Sequence, residues 1–376
     1  MTAPTSSELK AGLSEHPEDE IVEVELEGAR RKKKTGKGRI VAIVLSVAVI
    51  AAVFAFALPR IANYGDVWDV VKGMSWKWIG ALVLAVLLNT ATYGPPWVAA
   101  LPGLRYLQAT RVTLASTAMT MVAPGGAAVG MATSFAMLKA WGFRGRPVGL
   151  AVVVTGVWNQ LVILGIPIFA FVGVVAEGGS NHTLELVALI ALAIFVAIVV
   201  AFAIGLSSDR LARKVGDRAA RTLSWAKGLL GKAPVKWRGD SFVRFREETI
   251  ELIRHRWAFL TFATLAGHLT VFLVLLFSLR AVGTPNTEVT IVEAFAAWAI
   301  ARVLGSIPIT PGGIGFVELG LTGVLVAFGA SNDEAVAATL IYRFLTVVPT
   351  LVFGLVAAAT WKMGHRARED VAGSTA

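Results

Sequence analysis

The feature that most restricts this chain is a pair of Pro-Gly-Gly breaks, Pro124-Gly125-Gly126 and Pro311-Gly312-Gly313, each set inside a long apolar stretch. Proline removes a backbone donor and clashes with the preceding turn, and each glycine costs a helix interior about 1 kcal/mol, so neither stretch continues as one helix. In water such interruptions are ordinary loops. Here the chain is 56% hydrophobic and only 16% charged over 376 residues, with a mean hydropathy of +0.68, which is a composition for lipid. At membrane depth, broken backbone is tolerated only where protein or water satisfies the freed N–H and C=O groups. Two breaks therefore imply an internal polar cavity.

The expected fold is an all-α polytopic membrane protein with about six full spans and two broken, re-entrant hairpins. The spans are Ile40–Leu58, Trp78–Ala99, Val148–Ala176, Leu184–Leu206, Trp257–Ala281 and Ala335–Trp361, each long enough to cross about 30 Å of hydrocarbon. The hairpins are Arg111–Leu138 and Val289–Ala330. Residues 1–39 form an acidic tail ending in the basic cluster Arg30–Arg39, read as disordered and cytoplasmic. Residues 40–361 form the membrane domain and 362–376 a second cytoplasmic tail. Ala55-Phe56-Ala57 resembles a signal-peptide cleavage site, but the long preceding tail favours an uncleaved anchor.

The formal charge of +10 is a topology signal. Basic residues gather at 105–111, at 139–146, across the loop 207–256 and after Lys362, whereas 177–183, 283–288 and 331–334 carry none. By the positive-inside rule the first group is cytoplasmic and the second external, with both chain termini in the cytoplasm of a cell whose plasma membrane the chain spans. Trp225, Trp237, Phe242 and Phe245 give parts of the basic loop the pattern of a surface-lying helix, with a solvated loop as the plainer alternative. Positive charge beside spans makes nucleic acid a poor partner. With no cysteine, disulfides and thiolate chemistry are excluded.

Span, hairpin, span occurs twice in the same order. The first hairpin has both ends inside and the second both ends outside, so the two units form an inverted repeat, an arrangement that places transporter sites at the repeat interface. Charges inside such spans face a cavity or pair with one another. Arg302 and Arg343 are the candidate lipid-headgroup ligands, helped by free N–H groups at Gly125, Gly126, Gly312 and Gly313. Glu318 either holds an arginine, titrates, or forms a structural ion pair with Arg343. Asn89, Asn159 and Gln160 are candidate cavity lining, while His268 reads as a packed histidine and Glu293 precedes the second break. No metal-ligand spacing, Ser/His/Asp set or Walker loop occurs, so no cofactor and no metal are expected.

Pro311-Gly-Gly-Ile-Gly-Phe-Val-Glu318, followed by Ala335-Val-Ala-Ala-Thr-Leu-Ile-Tyr-Arg343, resembles the signature of the lysylphosphatidylglycerol synthase transmembrane family of flippase-like proteins. The resemblance covers roughly Ile40–Trp361, with Pro124–Gly130 a looser match. It implies a membrane domain that moves an aminoacylated phospholipid between leaflets, with Glu318 and Arg343 at the motif's charged positions. The chain ends soon after the last span, so the soluble synthase activity is expected to be absent and no enzyme is expected. The expected function is translocation of an anionic phospholipid, an aminoacyl-phospholipid or a polyprenyl-phosphate-linked glycan. Two alternatives stay open: an accessory subunit of an envelope glycosyltransferase docked through 207–256, and a polyprenyl-phosphate-dependent transferase using Glu318.

Overall fold

The computed structural model describes residues 72–122, 126–178, 182–210, 239–306, 311–313 and 315–361, together with Asp69 and isolated positions between 211 and 224. The N-terminal tail, Ile40–Leu58, Pro124, Gly125, most of the basic loop and the C-terminal tail lie outside these residues. The described residues are mostly helical, with no strand among them. In chain order the helices are α1 (Trp76–Ala91), α2 (Pro95–Ala100), α3 (Tyr106–Val122), α4 (Gly126–Ala140), α5 (Gly145–Ala176) and α6 (His182–Ser207). They continue with α7 (Gly239–Ala281), α8 (Ile291–Ser306), α9 (Phe316–Ala327) and α10 (Asn332–Thr360), and a 3-10 turn, Pro311–Gly313, stands between α8 and α9.

Four helical stretches, Trp76–Ala100, Gly145–Ala176, Val243–Ala281 and Asn332–Thr360, are long and apolar enough to cross a membrane. The 26-residue α6 is equally apolar along much of its length. The packing follows a membrane pattern. Large side chains such as Leu84, Leu87, Phe169, Val172, Phe262 and Phe353 are exposed, whereas alanines including Ala109, Ala115, Ala151, Ala297 and Ala338 are fully buried. In lipid there is little hydrophobic force between helices, so small residues that let backbones approach closely dominate the interior. The main exception is a knot of Phe272, Phe295 and Trp298 between α7 and α8, whose ring centroids lie 5.1–5.6 Å apart.

The described residues fall into two compact units, one within 202–251 and a larger body formed by parts of 44–201 and 252–376. In the smaller unit Arg246 pairs with Asp209 at 2.6 Å. In the body, α3 and α4 fold back on each other across the first break. A Cβ on Gly130 would strike Thr120 Oγ1 and the Ser116 carbonyl, and Gly103 approaches Phe143 where the hairpin's ends meet. Helices α8 and α9 do the same across the second break, Gly320 lying on Leu304 and Gly329 against the Glu288 carbonyl.

The open ends of the two hairpins lie at opposite ends of the body. Trp97, Leu104, Ala109, Leu138, Val148 and Ala357 pack together at one end. At the other, Thr290 donates to Glu177, and Gly283 approaches Glu334. Helix α5 therefore runs from the first end to the second, and α10 runs back. Packing between the halves is exchanged as well: α3 lies along α10 and α8 along α5, while α4 and α9 each pack on the following long helix of their own half. The α3–α10 approach depends on Gly354, where a Cβ would collide with the Leu114 carbonyl and Ala118.

Candidate functional site

The second break is shaped by its glycines and held by two charges. Gly312, Gly313 and Gly315 have φ of +65°, +68° and +89°, the left-handed region that side chains disfavour. This turn delivers the chain into α9, three residues before Glu318. Glu318, only 2% exposed, accepts from the Gly315 N–H at 2.7 Å with Oε2 and from Arg343 Nε at 2.6 Å with Oε1. Arg343 Nη2 also donates to the Gly312 carbonyl at 3.0 Å. The carboxylate thus caps α9 while the guanidinium, on α10, satisfies a carbonyl that the broken helix leaves without a partner.

This geometry differs from a free anion cradle at Gly312 and Gly313. Glu318 already occupies the start of α9, two donors of Arg343 are committed, and neither Gly312, Gly313 nor Glu318 lines the cavity beside them. Gly126, at φ +45°, begins α4 and also stays off the cavity wall, and Gly125 is outside the described residues.

The cavity has a volume of about 530 Å³ and is walled by the α1–α2 segment, α3, α4, α5, α7, α8 and α10. Its charged lining consists of Arg302 and Arg343; no aspartate or glutamate is among the described lining residues. Arg302, on α8, donates through Nη2 to His268 Nδ1 at 3.2 Å, while its buried Nε has no partner among the described residues. His268 Nε2 in turn meets Asn159 Oδ1 at 3.2 Å, so an imidazole protonated on Nε2 satisfies both contacts. Arg302 is held by a neutral chain of groups, with no carboxylate among the described residues to balance it.

Asn89 lines the cavity but is fully engaged, its amide donating to the Gly267 carbonyl and Thr270 and its oxygen accepting from Tyr93. It ties α1 to α7. Asn159 lines the cavity and meets His268 there, whereas Gln160, one residue on, is not on its wall. Trp158 bonds Thr261 and fastens α5 to α7. Glu293 caps the start of α8 through the Thr290 N–H, away from the site.

Hydroxyls make up much of the remaining wall. Thr113, Ser116, Thr117 and Thr120 recur at i, i+3, i+4 and i+7 along one face of α3, opposite Thr346 and Thr350 of α10. That stripe is visible in the sequence as a spacing, and reading it there required knowing that α3 faces a cavity. Thr113 donates its proton to the Tyr93 carbonyl, and Thr120, Thr155, Thr346 and Thr350 donate theirs to carbonyls four residues back, which leaves oxygen lone pairs as their remaining hydrogen-bonding capacity.

Apolar spanning helices, a small-residue interior and two broken hairpins around a cationic polar cavity define a multi-pass membrane protein. Residues 43–354 match the family model described as the lysylphosphatidylglycerol synthase TM region, and the chain belongs to that family. A comparison with curated proteins finds no match.

Proposed function

We propose that this protein is a lipid translocase that binds an anionic headgroup, of a phospholipid or a polyprenyl-phosphate conjugate, in the cavity and passes it between leaflets without covalent chemistry. One observation carries the reading: a cavity of about 530 Å³ between apolar helices is lined, among the described residues, by two guanidiniums and no carboxylate. A guanidinium away from water is costly unless an anion joins it, and Arg302 has an N–H free to receive one. The family membership supports a lipid-related membrane role. The oppositely facing hairpins support an inverted repeat whose breaks are re-entrant and whose site lies near the bilayer midplane.

Arg302 is the principal headgroup ligand in this reading, with Arg343 shaping the turn and presenting its remaining N–H groups. The test is leaflet exchange in proteoliposomes, following fluorescent phosphatidylglycerol, phosphatidylcholine and a polyprenyl-phosphate analogue. Accelerated exchange of an anionic lipid, lost in folded Arg302→Gln, is the expected result. Absence of exchange for all three probes would overturn the reading and favour an accessory role beside an envelope-synthesis enzyme.

A further inference from the structure

The charge and hydrogen-bonding chemistry of the cavity narrow the headgroup further. We infer that the site selects a headgroup that is anionic at its phosphate, hydroxylated and otherwise uncharged, and that it rejects headgroups carrying an ammonium. The inference rests on the reading of the cavity as a lipid-headgroup site.

Three observations lead to it. First, Arg302 and Arg343 line the cavity together and only Arg343 is paired with a carboxylate, so a bound ammonium would meet the uncompensated charge of Arg302. Second, Glu318, the one buried carboxylate among the described residues, is off the wall, with one oxygen on Arg343 and the other on the Gly315 N–H. Withdrawing it would uncap α9 and free Arg343. Third, Thr113, Thr120, Thr155, Thr346 and Thr350 of the wall donate their own protons to backbone carbonyls, so their oxygens accept hydrogen bonds. The wall therefore offers guanidinium donors for a phosphate and neutral acceptors for ligand hydroxyls. Glycerol or sugar hydroxyls fit both demands. Size does not discriminate, because a cavity of about 530 Å³ lies within the usual range for small-ligand sites and admits an aminoacylated headgroup as readily. Charge does.

The experiment is displacement of fluorescent phosphatidylglycerol from the purified full chain in detergent. The competitors are unlabelled phosphatidylglycerol, lysyl-phosphatidylglycerol, phosphatidic acid and soluble glycerol phosphate. Phosphatidylglycerol is expected to compete at least about tenfold better than lysyl-phosphatidylglycerol, the smallest discrimination consistent with like charges brought together. Phosphatidic acid, which keeps the phosphate without the glycerol hydroxyls, is expected to fall between them. Glycerol phosphate separates the sources of this chemistry. Weaker competition than the lipid supports a membrane headgroup, and equal competition overturns the lipid source.

Failure of the fluorescent lipid to bind at all would overturn the translocase reading itself. Binding with equal displacement by the lysylated lipid would overturn only the charge selectivity, and equal displacement by phosphatidic acid only the hydroxyl preference. In Arg302→Gln and Arg302→Met, checked for folding by gel filtration, the preference over the lysylated lipid is expected to shrink to within about threefold. A folded variant that kept the full preference would remove Arg302 from the inference and overturn it.

Discussion

Arg343 Nε and Glu318 Oε1 meet at 2.6 Å, and each side chain also holds backbone of the second break, the guanidinium at the Gly312 carbonyl and the carboxylate at the Gly315 N–H. The pair is buried, 13% and 3% exposed at the side chains, so its members depend on each other. Removing one partner of a buried ion pair leaves an uncompensated charge at a cost of about 3–5 kcal/mol. Glu318→Ala and Arg343→Ala are each expected to lose that much in thermal or denaturant unfolding in detergent. The double variant should be less destabilised than the sum by at least about 1 kcal/mol, because neither orphaned charge remains. Strict additivity would mean that the two groups act independently.

Arg302 should behave in the opposite way. It has no ion-pair partner among the described residues and an unsatisfied Nε, so Arg302→Met is expected to leave the unfolding midpoint unchanged or raise it while abolishing anionic-lipid exchange. A large loss of stability would mark the residue as structural.

His268 positions that guanidinium from α7, accepting at Nδ1 while Nε2 faces Asn159. For His268→Ala we expect the lipid concentration at half-maximal exchange to rise by about tenfold, with a smaller change in maximal rate, as for a lost hydrogen bond to a charged group. An unchanged half-maximal concentration with a reduced maximal rate would assign His268 to the transport step.

Two glycines separate close packing from mere chain flexibility. Gly354→Val would drive side-chain atoms into the Leu114 carbonyl and Ala118 and is expected to cost about 1–3 kcal/mol or more. Gly323, on α9, has open space around its Cβ position, and Gly323→Ala is expected to be neutral or to stabilise by up to about 1 kcal/mol. Parallel unfolding curves for the two variants check both.

The chain contains no cysteine, so single cysteines report sidedness without background. Glu177→Cys and Ser331→Cys lie at the same end of the body and should label from the same side of the membrane. Gly231→Cys, in the basic loop, is expected to label from the other side. Labelling of all three from one side would contradict the inverted arrangement.

The two breaks were legible because proline and paired glycine are local statements about backbone, and the loop charges anticipated that the two hairpins open at opposite ends. The halves' exchanged packing was not legible, since nothing in the residues of α3 says that α10 lies beside them. Arg302, Arg343 and Glu318 stood out as charges among apolar residues. Their division of labour did not, because it depends on which donors the backbone at Gly312 and Gly315 has already engaged. Gln160 shows the limit of reading neighbours together: on a helix, adjacent residues point about 100° apart, so Asn159 faces the cavity and Gln160 does not. The Ser/Thr stripe of α3 was passed over because hydroxyls at helical spacing are equally at home in any membrane helix bonding to its own carbonyls.

The exchanged packing also limits how this molecule can move. With α3 lying along α10 and α8 along α5, the halves clasp each other like folded hands. Rocking them apart as rigid blocks would strip both clasps and expose the alanine surfaces beneath. For the proposed translocation, access to the cavity from alternate sides would therefore come from a hairpin sliding against the long helix it leans on, with the glycine turns absorbing the change in backbone angle. A cross-link that locks α3 to α10 without blocking the cavity would stop such a movement outright, whereas one within α5 would not.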